Sequence, residues 1–235
     1  MNTTLLLSFL RQRLSSPARL VLLILIFVAP LLMLAATHGG LGFQALGTAT
    51  MFAFVLGAGM IGSDASSGVF QLLFARPVGR FEYLMSRWVA VAAGAALLNA
   101  VQTVLGASIM SSNHALESWT AVARFIGEQS LETFALAAVI AGFSSLLPGI
   151  GDVVALFVSG IALGILQGAS QWAHQGWLGA IIQEIQHTLS PESAGVFAWS
   201  DGGWRVAVTL LSSIAIGLAV AAVALARREI SYASE

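Results

Sequence analysis

Several sets of side chains in this sequence have the types and spacings that chemistry could use. Gly57, Gly59 and Gly62 spell G-x-G-x-x-G, which cradles a dinucleotide pyrophosphate when a strand precedes it and a helix follows. Here it lies inside an apolar run with no strand signal ahead of it, so close packing of helix backbones is the better account. The hydroxyls of Gly142-Phe143-Ser144-Ser145 could act as nucleophiles if a histidine on a later span took the proton. His38, His114, His174 and His187 all fall in or near connecting loops, which favours packing or turn roles for the serines. Glu184 and His187 stand three apart and could touch a metal. As a lone pair on an amphipathic helix they read as a solvated face, and no metal site is assigned.

Two further sets are polar groups within apolar surroundings. Asn99, Gln102 and Thr103 line one side of a long hydrophobic run, and Glu128 and Glu132 share a helix face in the next. Polar groups in a bilayer are costly and face the bundle interior or a wet cavity, which makes these five candidates for a substrate path. Hydrogen bonding between helices and solvation at headgroup level are the alternatives.

These groups must be positioned by hydrophobic helices, because composition leaves little else. Of the 235 residues, 57% are hydrophobic and 9% charged, against about 25% charged in soluble domains. We read an all-α integral membrane protein forming one transmembrane domain over residues 1–235. All ten basic residues are arginine and lysine is absent, which excludes a P-loop and a Schiff-base lysine. With no cysteine, disulfides and thiolate chemistry are excluded too. A net charge of -1 offers nothing to nucleic acid.

A helix needs about 20 apolar residues to cross the hydrocarbon. Six runs qualify: residues 20–36, with Pro30 as a kink, then 41–62, 88–110, 132–147, 153–168 and 206–226. The fourth and fifth are short and are separated by a tight turn at Pro148-Gly149. Six spans put Arg11, Arg13, Arg19, Arg76, Arg80, Arg87, Arg227 and Arg228 on one side, and only Arg124 and Arg205 on the other. By the positive-inside bias both termini and the loop after span two are cytoplasmic, in a cell's inner (plasma) membrane. A signal peptide is the competing reading of the N-terminus, but its apolar run exceeds the usual 7–15 residues of about that class of segment. Leu6, Phe9, Leu10 and Leu14 recur near helical spacing before span one and suit a surface-lying helix. Gly160, Gly164 and Gly168, and Ser213, Gly217 and Ala221, are small-residue stripes suited to close helix approach. Residues 169–203 are expected outside, with Trp177, Leu178, Ile181, Ile182, Ile185 and Leu189 forming an external amphipathic helix. Ser190-Pro191 is expected to start a second short helix.

The loop of residues 63–87 is the polar island between two apolar runs. Val69, Phe70, Leu73 and Phe74 form an apolar stripe of a short amphipathic helix, stopped by Pro77. A surface helix anchored to lipid headgroups by its arginines is the plainer reading. The segment also resembles ABC-2 type permeases, the membrane subunits of a class of ATP-binding cassette exporters. Their pattern has an acidic residue after span two, a small residue with Gly, an apolar helix, and P-[VIL]-x-R leading into span three. This chain reads Asp64, Ser67-Gly68, Val69 to Phe74, then Arg76-Pro77-Val78-Gly79-Arg80. It has Asp64 where the family often has Glu, and Ser86-Arg87 where Gly-Lys is common. The rest of the likeness is architectural: an elbow helix, six spans, an external helical segment between the last two, and a short basic tail.

The resemblance implies a coupling helix, with Phe70, Leu73 and Phe74 docking into a separate ATPase subunit and Asp64, Gly68, Val69, Arg76, Pro77 and Arg80 completing that interface. It implies two permease copies, identical or related, paired with two ATPases that hold ATP and Mg. It gives this chain no cofactor or catalytic residue of its own. The other classes are a membrane-embedded enzyme and a nucleotide-independent structural or channel-like subunit. Against an enzyme stand spans free of His and Cys, with Glu128 and Glu132 as the only embedded acids expected.

Overall fold

The computed structural model describes residues 3–67, 79–172 and 176–227, and among these the elements are all helical. They are α1 (Thr3–Leu14), α2 (Pro17–Ala36), a 3-10 turn (Gly42–Leu46), α3 (Ala49–Gly57), α4 (Gly62–Ser66), α5 (Arg80–Ser112), α6 (Trp119–Leu146), α7 (Gly151–Trp172), α8 (Gly176–Leu189) and α9 (Gly203–Arg227). Six stretches are long and apolar enough to cross a bilayer: α2, residues 42–66, α5, α6, α7 and α9. The chain is a multi-pass membrane protein. Its outward side chains fit that setting, since Val21, Ile24, Leu25 and Leu32 of α2 and Val154, Phe157, Ile161 and Ile165 of α7 are exposed. Lipid, not water, is the medium in which such surfaces are stable.

α5 and α6 are the centre of the bundle. α6 packs against α9, α5, α3 and α7, and α1 and α2 lie along α5. The main core gathers Phe52, Leu56, Met60, Tyr83, Leu84, Val91, Leu136 and Ile140. Small residues let the pairs close. Gly57 accommodates Ile140 and Val91 at 3.1 and 3.3 Å from where a Cβ would lie, and Gly217 meets the Ala138 carbonyl. The α9 stripe is therefore a packing seam, with Ser213, Gly217 and Ala221 buried against α6. The α7 stripe is not, because around Gly160, Gly164 and Gly168 there is open space.

Three expected elements take a different form. The fourth span begins at Trp119, well before residue 132. Ser118 caps its N-terminus by accepting from the Ala121 amide at 3.1 Å, and Arg124 pairs with Glu128 one turn on. Polar residues there are paired within the helix or with neighbours, so they do not end it. The segment expected as an external helix instead folds back along α7. Gly179 approaches Ser170, while Gln186, Leu189 and Ser190 line a cleft of about 340 Å³ with Leu156, Phe157 and Gly160. Leu189 and Thr188 also line a second cleft, of about 240 Å³, with Phe143 and Gly217, fourteen residues along the chain from the start of α9 at Gly203. α8 is thus a re-entrant arm whose Trp177, Ile181 and Ile185 stay exposed. A helix of 14 residues is too short to span but suits this geometry. No helix starts at Pro191: the chain there is irregular, with a 3-10 turn only at Trp199–Asp201.

Candidate functional site

Span two is broken. α3 stops at Gly57 and α4 starts at Gly62, and between them Gly59 takes a φ of +65°, open to glycine at no steric cost. Backbone groups freed inside a membrane bundle must find partners, and here three other elements supply them. Arg13 of α1 donates to the carbonyls of Ala58 at 2.6 Å and Gly59 at 2.9 Å. Asp152, fully buried in the first turn of α7, accepts from the Gly59 amide at 2.8 Å. Ser144 of α6 accepts from the amides of Ile61 and Gly62, each at 3.0 Å. The hydroxyl singled out as a possible nucleophile is thus a buried acceptor for two backbone donors. The glycine motif is partly the packing device expected: Gly62 lies 2.4 Å, at its Cβ position, from the Leu147 carbonyl. Its middle residue is a break.

Two of these groups overturn sequence expectations. Arg13 is 2% exposed, not on a polar surface face. Desolvation, with Arg19 and Arg87 nearby, pushes its guanidinium down to about 10, so it still carries its charge at neutral pH. Asp152 and Asp64 are buried acids beyond the two glutamates. Arginine and aspartate look like loop residues in a linear reading, and only the fold brings Arg13 and Asp152 to either side of Gly59. The Gly-interrupted apolar run and the Pro-Gly-x-Gly-Asp turn were the available signals.

Residues 68–78 lie outside the described residues, and with them Gly68, Val69, Phe70, Leu73, Phe74, Arg76 and Pro77. Both flanks are described, and both are tied into the bundle. On one side Asp64 pairs with Arg87 and accepts from the Tyr83 hydroxyl at 2.7 Å. Arg87 also lies over the Phe9 ring at 4.1 Å, and Arg13 lies over the same ring at 4.7 Å. α1, α4 and α5 thereby share one buried polar and aromatic cluster. On the other side Arg80 donates to the carbonyls of Leu225 and Ala226, both at 2.9 Å. These carbonyls lie in the last described turn of α9.

The five polar candidates separate by role. Gln102 is fully buried and donates to the carbonyls of Ile26 and Phe27 at 2.9 and 2.8 Å, while its Oε1 accepts from Thr48. Pro30 has no amide to offer Ile26, so Gln102 fills the vacancy that the proline creates in α2. Glu128 accepts from Arg124 at 3.1 Å and from the Gly195 amide at 3.2 Å. Glu132 accepts from Thr50 at 2.7 Å, Ser193 at 3.0 Å and Gln129 at 3.3 Å. Both glutamates hold the segment after α8 onto the bundle. Glu132 is not near a helix end, being the fourteenth of 28 residues in α6. Asn99 and Thr103 are buried, and among the described residues Asn99 Oδ1 and Thr103 Oγ1 have no hydrogen-bond partner.

Among the described residues no three His, Cys, Asp or Glu converge as metal ligands, and His187 lies 3.4 Å from Gln183. No protein-family model matches the chain, and no curated protein matches it either.

Proposed function

We propose that this chain is the permease subunit of an ABC-2 type exporter, moved by a separate ATPase through residues 68–78. One observation carries the reading: the segment's two flanks are each tied by polar side chains to other helices of the bundle. Asp64, through Arg87 and Tyr83, fixes one flank to α5 and, by way of Phe9, to α1. Arg80 fixes the other to the end of α9. A push on the segment therefore reaches the broken second span and the last span together. Removing one partner of a buried ion pair costs about 3–5 kcal/mol because the other charge is left uncompensated, so Asp64→Ala should loosen this flank.

The lysine-free composition fits a motor supplied in trans, with ATP and Mg held by two ATPase copies and a second permease completing the transporter. In this reading both termini and the docking segment are cytoplasmic, in the inner (plasma) membrane. Phe70, Leu73 and Phe74 form the docking face, with Arg76 as a polar partner and Arg80 as the anchor to α9. Co-expression with an ATPase encoded beside it tests the proposal. Phe70→Asp combined with Leu73→Asp should abolish co-purification and permease-stimulated ATPase activity while the permease itself still folds. A stable, active complex in the double variant would overturn the docking assignment.

A further inference from the structure

The centre of the bundle holds a carboxylate without a counter-charge. Glu132 sits midway along a helix about 42 Å long, and among the described residues it has hydrogen-bond donors but no ion-pair partner. An intramembrane acid with no compensating charge is costly. On α5 and α6, among the described residues, three buried oxygens have no hydrogen-bond partner: Asn99 Oδ1, Thr103 Oγ1 and Gln129 Oε1. Gln129 is adjacent by its bond to Glu132.

The helix register brings Asn99 to the same place. Along α3 and α5, Thr48 bonds Gln102, Leu56 meets Gly94 and Gly57 meets Val91. This antiparallel register sets Asn99 level with Thr50 and Met51, and Thr50 is the residue that bonds Glu132. Trp88, Asn99 and Gly106 share one stripe of α5 at 3.6 residues per turn. Trp88 reaches the Phe134 carbonyl on α6, and Gly106 lies against Leu46 just before α3. Asn99, 1% exposed, therefore lies on the α5 stripe that meets α6 at Trp88, at the level of the Thr50 that bonds Glu132.

We propose that Glu132, Asn99, Gln129 and Thr103 bind one hard monovalent cation of the sodium or potassium class. Carboxylate, amide carbonyl and hydroxyl oxygens suit hard cations and disfavour soft metals, and a single carboxylate balances one positive charge. A water molecule would satisfy the amide oxygens but bring no positive charge to the half-buried Glu132; an alkali cation answers both. This inference concerns the chain alone and stands apart from any ATPase partner.

The test is thermal unfolding of the purified chain in lipid nanodiscs at fixed pH and ionic strength, with choline chloride replaced stepwise by NaCl or KCl. One of the two should raise the midpoint saturably, on the order of 5 °C at ion concentrations about 100-fold above Kd. Radioactive sodium or a potassium analogue should bind at one ion per wild-type chain. Glu132→Gln keeps the shape and should remove the ion response, and Asn99→Leu should weaken it at least tenfold. Identical midpoints in choline, sodium and potassium, with no ion retained by the wild type, would overturn the proposal. So would an ion response that survives in Glu132→Gln, or a stabilisation that follows pH alone and ignores the cation.

Discussion

Gly217→Ala is the sharpest probe of how this bundle closes. A Cβ at Gly217 would lie 2.4 Å from the Ala138 carbonyl oxygen and 2.5 Å from its carbon, where ordinary contact begins at 3.4 Å. The obstructing atoms are backbone in a buried part of α6 and cannot rotate aside, so α9 must retreat by roughly 1 Å. A gap of that size forfeits a quarter to a half of each dispersion contact along the seam, which includes Leu210, Ser213, Ala221 and Leu225. Overpacking of this kind costs about 1–3 kcal/mol, or roughly 3–10 °C in unfolding midpoint for a chain of this size. Gly164→Ala is the control: nothing lies within 4 Å of its Cβ position, and alanine gains about 1 kcal/mol of helix propensity at most. Tryptophan fluorescence on heating in nanodiscs reads both variants. Equal midpoints for the two would refute the packing argument.

Gln102→Leu should lower stability by about 1–3 kcal/mol, because it strands the Ile26 carbonyl in the core. Pro30→Ala should recover part of that loss by returning an amide to Ile26, and a double-mutant cycle showing strict additivity would sink the account. At the span-two break, Asp152→Ala leaves the Gly59 amide unpaired and Gly59→Ala forces a Cβ to 2.7 Å from the Gly149 carbonyl at φ +65°. Both should speed hydrogen exchange of residues 58–62 at least tenfold relative to α6, and unchanged protection there would count against the clamp.

The hydrophobic runs by themselves determined six membrane stretches, the turn at Pro148-Gly149 and the helix before the first span, since length and apolarity are local properties of the chain. They also located the polar residues of the fold's interior: Asn99, Gln102 and Thr103 are all buried. Tertiary structure decided what those residues do. Gln102 serves a proline 72 positions away only because α5 lies along α2. The length of α6 past Glu132 rests on partners contributed by Thr50 and Ser193. α8 turns inward because α7 and α9 leave it a groove, and the same amphipathic pattern would suit an external surface. The break at Gly59 was equally hidden, because a glycine inside an apolar run can pack or bend. Arg13, Ser144 and Asp152, converging from three helices, are what make it bend. Sequence carries the cost of each polar group in the membrane; the partner that offsets it is fixed only when distant helices meet.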